Sequence, residues 1–215
     1  GSYHLSGLGS LSTANTIVGS YGSGTFDQSG GTHSISDTLT VGSSSTGNTY
    51  TLTSGSVQAS GGGFDLTVGR SGSGTFVQSG GGVDLGSGTL TAGHYSSSDG
   101  SYALSGSGSL TAFREAIGHY GTGSLTQSGG TNAVTTSLLL GEASTGSGTY
   151  TMTGGILQAT DAGLFLSIGK QGSGTFTQSG GSVDLGSSGL DVGTDSGSNG
   201  TYTLSGTGSL SARYE

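Results

Sequence analysis

The sequence predicts an all-β protein: a right-handed parallel β-helix (β-solenoid) of about eight coils, with three short strands per coil of 23–26 residues. Three observations lead there. A heptad recurs nine times, an apolar–Gly pair recurs in phase with it, and apolar residues within each unit are spaced by two. The heptads are Gly1–Gly7, Gly24–Gly30, Asn48–Ser54, Gly74–Gly80, Gly100–Gly106, Gly123–Gly129, Gly148–Gly154, Gly174–Gly180 and Gly200–Gly206, at intervals of 23, 24, 26, 26, 23, 25, 26 and 26 residues. The second marker is Val18–Gly19, Val41–Gly42, Val68–Gly69, Ala92–Gly93, Ile117–Gly118, Leu140–Gly141, Ile168–Gly169 and Val192–Gly193. Two markers sharing one period define a repeat array.

Each unit reads as three strands. In Gly174–Gly193 these are Phe176-x-Gln178, Val183-x-Leu185 and Leu190-x-Val192, with Gly/Ser clusters between them. Alternation by two marks a strand with one buried face. A single unit cannot bury its own inner face. Stacked units can, each strand pairing with its equivalent about 4.7–4.9 Å away. Gly, at 49 of 215 positions, penalises a helix by roughly 1 kcal/mol per residue and supplies positive φ at corners. Pro, which would interrupt a ladder, is absent.

The interior is expected to form columns. One is aromatic: Tyr3, Phe26, Tyr50, Phe76, Tyr102, Leu125, Tyr150, Phe176 and Tyr202. Another alternates Gln28, Gln78, Gln127 and Gln178 with Leu5, Leu52, Leu104, Met152 and Leu204, a two-coil period of about 50 residues. Buried Gln needs partners, so these amides are expected to bond corner backbone groups and fix the registry of the two-coil unit. The intervals repeat again after four coils. They divide one continuous solenoid over 1–215 into super-repeats 1–99 and 100–199, with 200–215 beginning a third. Gly72–Ser87 and Gly172–Ser187 agree at 14 of 16 positions.

Composition alone would read as disorder, since Gly, Ser and Thr make up 122 residues and Leu, Ile, Val and Phe only 41. Four basic residues against twelve acidic ones, a net charge of −8, argue against nucleic acid as a partner. No apolar run approaches the roughly 18 residues of a membrane span, and without Cys there are no disulfides or thiolate metal sites.

No catalytic, cofactor-binding or metal-binding constellation emerges, and neither an enzyme nor a cofactor is expected. Asp84 and Asp184 are equivalent but four coils, roughly 19 Å, apart, too far for a catalytic pair. Asp184, Asp191 and Asp195 read as solvated acids. His4, His33, His94 and His119 read as surface turn residues in different parts of different coils. Asn199-Gly200 is read as a turn dipeptide rather than a glycosylation acceptor. Arg70 and Lys170 each follow the closing Gly of a coil and read as solvated turn residues, with a staple to a neighbouring molecule as the alternative.

The strongest surface pattern is a Ser/Thr ladder. Its possible ligand face comprises Thr49, Thr51, Thr149, Thr151, Thr175, Thr177, Thr201 and Thr203. Such an array suits ice or a surface glycan, though Thr and Ser ladders also stabilise sheets without binding anything.

The alternating GTYTLSG-like and GTFTQSG-like coils (Gly200–Gly206, Gly174–Gly180), closing in Val–Gly or Ile–Gly, resemble the repeats of large bacterial exported surface proteins such as autotransporter passengers and adhesins. The resemblance implies an extracellular or cell-surface, structural or adhesive role and transfers no catalytic residue. Coils are expected either to continue in a longer chain or to self-associate end to end, with lateral contacts, in a fibre, stalk or sheath. A carbohydrate- or ice-binding solenoid is the alternative.

Overall fold

In the computed structural model, which describes residues 1–161 and 163–214, twenty strands pair in parallel as one continuous sheet system. No helix occurs among the described residues, so none is long and apolar enough to cross a membrane. Alternating apolar residues at this Gly density leave strand pairing between coils as the way to satisfy the backbone. The protein is a β-solenoid of about eight stacked turns.

Pairing follows three ladders. In the first, Tyr3, Phe26, Tyr50, Phe76, Tyr102, Leu125, Tyr150, Phe176 and Tyr202 are successive partners in exact register. In the second, Leu11, His33, Val57, Val83, Leu110, Asn132, Leu157, Val183 and Leu210 are aligned. The third aligns Thr16, Leu39, Leu66, Leu90, Glu115, Leu138, Leu166 and Leu190, and two residues later the apolar partner of each closing Gly. Some corners are absorbed into longer strands with register shifts, as in Thr25–Val41.

The expected columns form the core. Phe26, Tyr50, Phe76, Tyr102, Leu125, Tyr150 and Phe176 are buried, as are Val41, Val68, Ile117, Leu140 and Ile168. Rings stack directly: Tyr50–Phe76 centroids lie 4.7 Å apart at 7°, Phe76–Tyr102 4.9 Å at 3°, and Tyr150–Phe176 4.6 Å at 9°. Such pairs add about 0.5–1.5 kcal/mol each beyond their buried area. Leu125 interrupts the stack between Tyr102 and Tyr150.

Two glycine positions explain the tight corner. Gly69 has φ +70°, and a Cβ there would lie 2.3 Å from the Asp99 carbonyl oxygen. Facing it, a Cβ on Gly100 would lie 2.0 Å from the Val68 oxygen. Only glycine at both places lets successive coils approach. One local expectation fails: Asn199-Gly200 opens the strand Asn199–Leu204 because Asn199 pairs with Ser173 in the coil below, and the ladder overrides the turn propensity.

Candidate functional site

The eight ladder threonines lie on the first ladder and alternate with ring positions that point inward, so they project outward. Thr149, Thr175 and Thr201 form one aligned column, and Thr151, Thr177 and Thr203 a second, over three successive coils. In the first half Thr49 faces Thr75, but Thr51 sits between Asp27 and Val77, and Val77 precedes Ala103. The paired hydroxyl array is therefore continuous only in the second half. The neighbouring Ser/Thr positions partly turn onto backbone: Ser54 Oγ donates to the Ser29 carbonyl (2.7 Å) and Ser105 Oγ to that of Gln78 (3.4 Å).

The alternating glutamines are buried and make the contacts that define the two-coil unit. Gln78 Nε2 donates to the Gly81 carbonyl in its own coil (3.0 Å) and to the Ser109 carbonyl in the next (2.9 Å). Its Oε1 accepts from the Tyr102 hydroxyl at 2.6 Å. Gln28 does the same with Gly31, Ser56 and Tyr50. Gln127 uses Gly130, Ile156 and Tyr150, and Gln178 uses Gly181, Ser209 and Tyr202. Each Gln side chain thus clasps two coils, and each Gln coil needs a Tyr coil above it. The corner contacts were expected; the tyrosine was not.

In alternate two-coil units the clasp is enlarged. Around Gln28, His33 Nδ1 lies 3.1 Å from Tyr50 Oη, and Nε2 lies 3.0 Å from Thr16 Oγ1 and 3.3 Å from Thr13 Oγ1. Because the tyrosine's one proton goes to Gln28, hydrogen counting assigns the imidazole proton to Nδ1 and leaves Nε2 as acceptor. His33 is thus a buried core residue, contrary to the surface-turn expectation. Burial lowers its pKa to about 4. Around Gln127 the ladder-equivalent positions are Asn132 and Glu115. Asn132 Nδ2 donates to Glu115 Oε2 (3.1 Å) and to Tyr150 Oη (3.4 Å). Glu115 is fully buried, and burial raises its pKa to about 7, against a smaller lowering from the Asn132 hydrogen bond. Its Oε1 and Asn132 Oδ1 are both acceptors without a partner. A proton on Glu115 converts one orphaned acceptor into a donor.

The corner after the third ladder carries Arg70 and Lys170 together with Glu142 and Asp195. Arg70 lies over the Tyr95 ring, 5.9 Å from its centroid. His94 and His119 occupy equivalent places in adjacent coils with ring centroids 5.3 Å apart, not unrelated places as the sequence reading had them. Burial, with His119 and Arg70 nearby, lowers the His94 pKa. Glu142 pairs with Arg114, with Lys170 Nζ (3.9 Å) and with His119 Nε2 (3.7 Å).

No family model, curated protein or solved structure matches the chain. Its chemistry is therefore read from the geometry. Among the described residues no group of three His, Asp or Glu side chains is placed to hold a metal ion. Asp84 and Asp184 are exposed and cap their own turns, accepting from Gly86 N (2.9 Å) and Gly186 N (3.0 Å). His33 reads as a surface residue, and Glu115 and Asn132 do not stand out at all, because one polar letter in a degenerate repeat looks like a surface substitution. Aligning successive coils sets His33 between Leu11 and Val57, Asn132 between Leu110 and Leu157, and Glu115 between Leu90 and Leu138.

Proposed function

We propose that this chain is a length of an extracellular fibre, stalk or sheath whose role is mechanical, with an adhesive role for its surface. The observation that carries this reading is the joint between the two four-coil blocks. Ser73–Gln78 pairs with Asp99–Leu104 in the same register as coils within a block, and Gln78 clasps Tyr102 across it. A block accepts another block through contacts it already uses, so the rod lengthens covalently or by stacking of chains. The resemblance to autotransporter-passenger and adhesin repeats supports an exported, cell-surface setting.

Immunogold electron microscopy of the producing cell tests this. Label along external rods is expected, and label confined to the cell interior overturns it. The carbohydrate- or ice-binding alternative draws support from the two threonine columns at Thr149–Thr175–Thr201 and Thr151–Thr177–Thr203. It predicts that Thr151→Lys with Thr177→Lys abolishes retention on glycan or ice and leaves folding intact.

A further inference from the structure

We propose that the aromatic corner bearing Arg70 and Lys170 of one rod docks side by side onto the acidic corner of a second copy, the two rods parallel and offset by one coil. This rests on the fibre reading and adds how fibres would bundle.

One corner, after the third ladder, carries Arg70, Tyr95, Tyr120 and Lys170, with the two tyrosines 44% and 46% exposed, and two acids, Glu142 and Asp195. Another corner, between the second and third ladders, carries Asp37, Asp65, Asp84, Asp161 and Asp184, all exposed, together with Phe113, 41% exposed, and one cation, Arg213, which the one-coil offset sets opposite Asp195. A polar hollow in this second corner is lined by Asp37, Asp65 and Ser87. The chain bears a net charge of −8, yet its cross-section is uneven, one corner balanced in charge and the other strongly acidic.

The spacings match. Arg70 and Lys170 are four coils apart, and so are Asp84 and Asp184, roughly 19 Å in each case. Arg70 belongs to the Tyr50 coil and Asp84 to the Phe76 coil. Lys170 belongs to the Tyr150 coil and Asp184 to the Phe176 coil. A single one-coil shift therefore sets both cations against both acids. The same shift places Tyr95, on the Phe76 coil, against Phe113, on the Tyr102 coil. Exposed aromatic residues flanked by opposite charge are the side chains that carry interfaces. Glu142 would face Asp161 in this arrangement, but Arg114 and His119 already flank its carboxylate, and Lys170, 3.9 Å from it and 38% exposed, turns to Asp184. The contact is heterologous, so each rod keeps one free corner of each kind and the assembly is open.

The test measures mass per length and width by scanning transmission electron microscopy and small-angle X-ray scattering at low salt. Wild-type rods are expected to pair or bundle, and 0.5 M salt to separate them. Arg70→Glu with Lys170→Glu should weaken pairing at least tenfold. Asp84→Asn with Asp184→Asn, which keeps an acceptor for the Gly86 and Gly186 amides, should do the same without disturbing the turn. Bundling that is indifferent to salt and to both variants overturns the proposal, as do rods that stay single throughout. Long but single filaments overturn the lateral contact alone. Particles one chain long that still pair keep the contact and overturn end-to-end stacking.

Discussion

Residues 1–99 and 100–199 have coil lengths that differ by one residue in the second coil alone and share Gln–Tyr clasps, but they fill the same interior place with opposite chemistry. The first block puts a neutral His33 between Tyr50 and Thr16, and every polar atom of that cluster has a partner. The second puts Glu115 and Asn132 beside Tyr150 and leaves two acceptors unpaired. In both blocks these polar groups enter the core next to a tyrosine hydroxyl already held by Gln, and which groups enter differs. One block is then sensitive to acid and the other to base.

The largest effect should come from uncoupling the blocks. Gly100→Val drives a side chain into the Val68 carbonyl and the Gly93 amide, costing about 3 kcal/mol or more. Calorimetry is expected to show one transition splitting into two. A single shifted transition would mean the blocks are not separate units.

Next come the two titrations. The folded His33 has a pKa of about 4, below its ordinary 6.5, so its stabilising contribution is complete above pH 6.5 and is lost as pH falls through 4. The folded Glu115 has a pKa of about 7, above 4.5, so its contribution is complete below pH 4.5 and is lost as pH rises through 7. Each is worth about 3 kcal/mol at most, and between pH 4.5 and 6.5 the two slopes oppose. Hydrogen exchange should show protection around Phe26–Leu39 falling in acid and protection around Leu125–Leu138 falling above neutrality. His33→Asn should flatten the first limb, and Glu115→Thr, the first block's own solution, the second.

The hydroxyl deletions are smaller and rank the clusters. Tyr50→Phe strands Gln28 Oε1 and His33 Nδ1, whereas Tyr150→Phe strands Gln127 Oε1 while Asn132 keeps Glu115. Urea titration should give about 2–3 kcal/mol for the first and about 1–2 kcal/mol for the second. Equal losses would contradict the assigned network. Smallest of all, Thr151→Lys and Thr177→Lys on the outward ladder should each change stability by less than about 0.5 kcal/mol.

Much of the fold was legible because every coil repeats the same signal. Phe176-x-Gln178 and Val183-x-Leu185 announce alternation, and Gly100 opposite Gly69 marks the corner. The glutamine column was legible through its two-coil period, but its tyrosine partner was not, because the aromatic column has its own reason to exist. His33 and Glu115 each occur once, so no period exposes them. Their meaning depends on which ladder they enter, and that requires the register. The two unlike corners had a sequence trace in the equivalence of Arg70 with Lys170 and of Asp84 with Asp184. Which corner each occupies does not follow from spacing along the chain.

The central claim is that a four-coil block propagates through the Ser73–Gln78/Asp99–Leu104 joint. A chain carrying a second copy of residues 100–199 in tandem tests it most directly, by small-angle X-ray scattering. The rod should lengthen by roughly 19 Å at constant cross-section and melt in one transition. An added block that is unfolded, or folded but scattering as a separate body, would contradict the account.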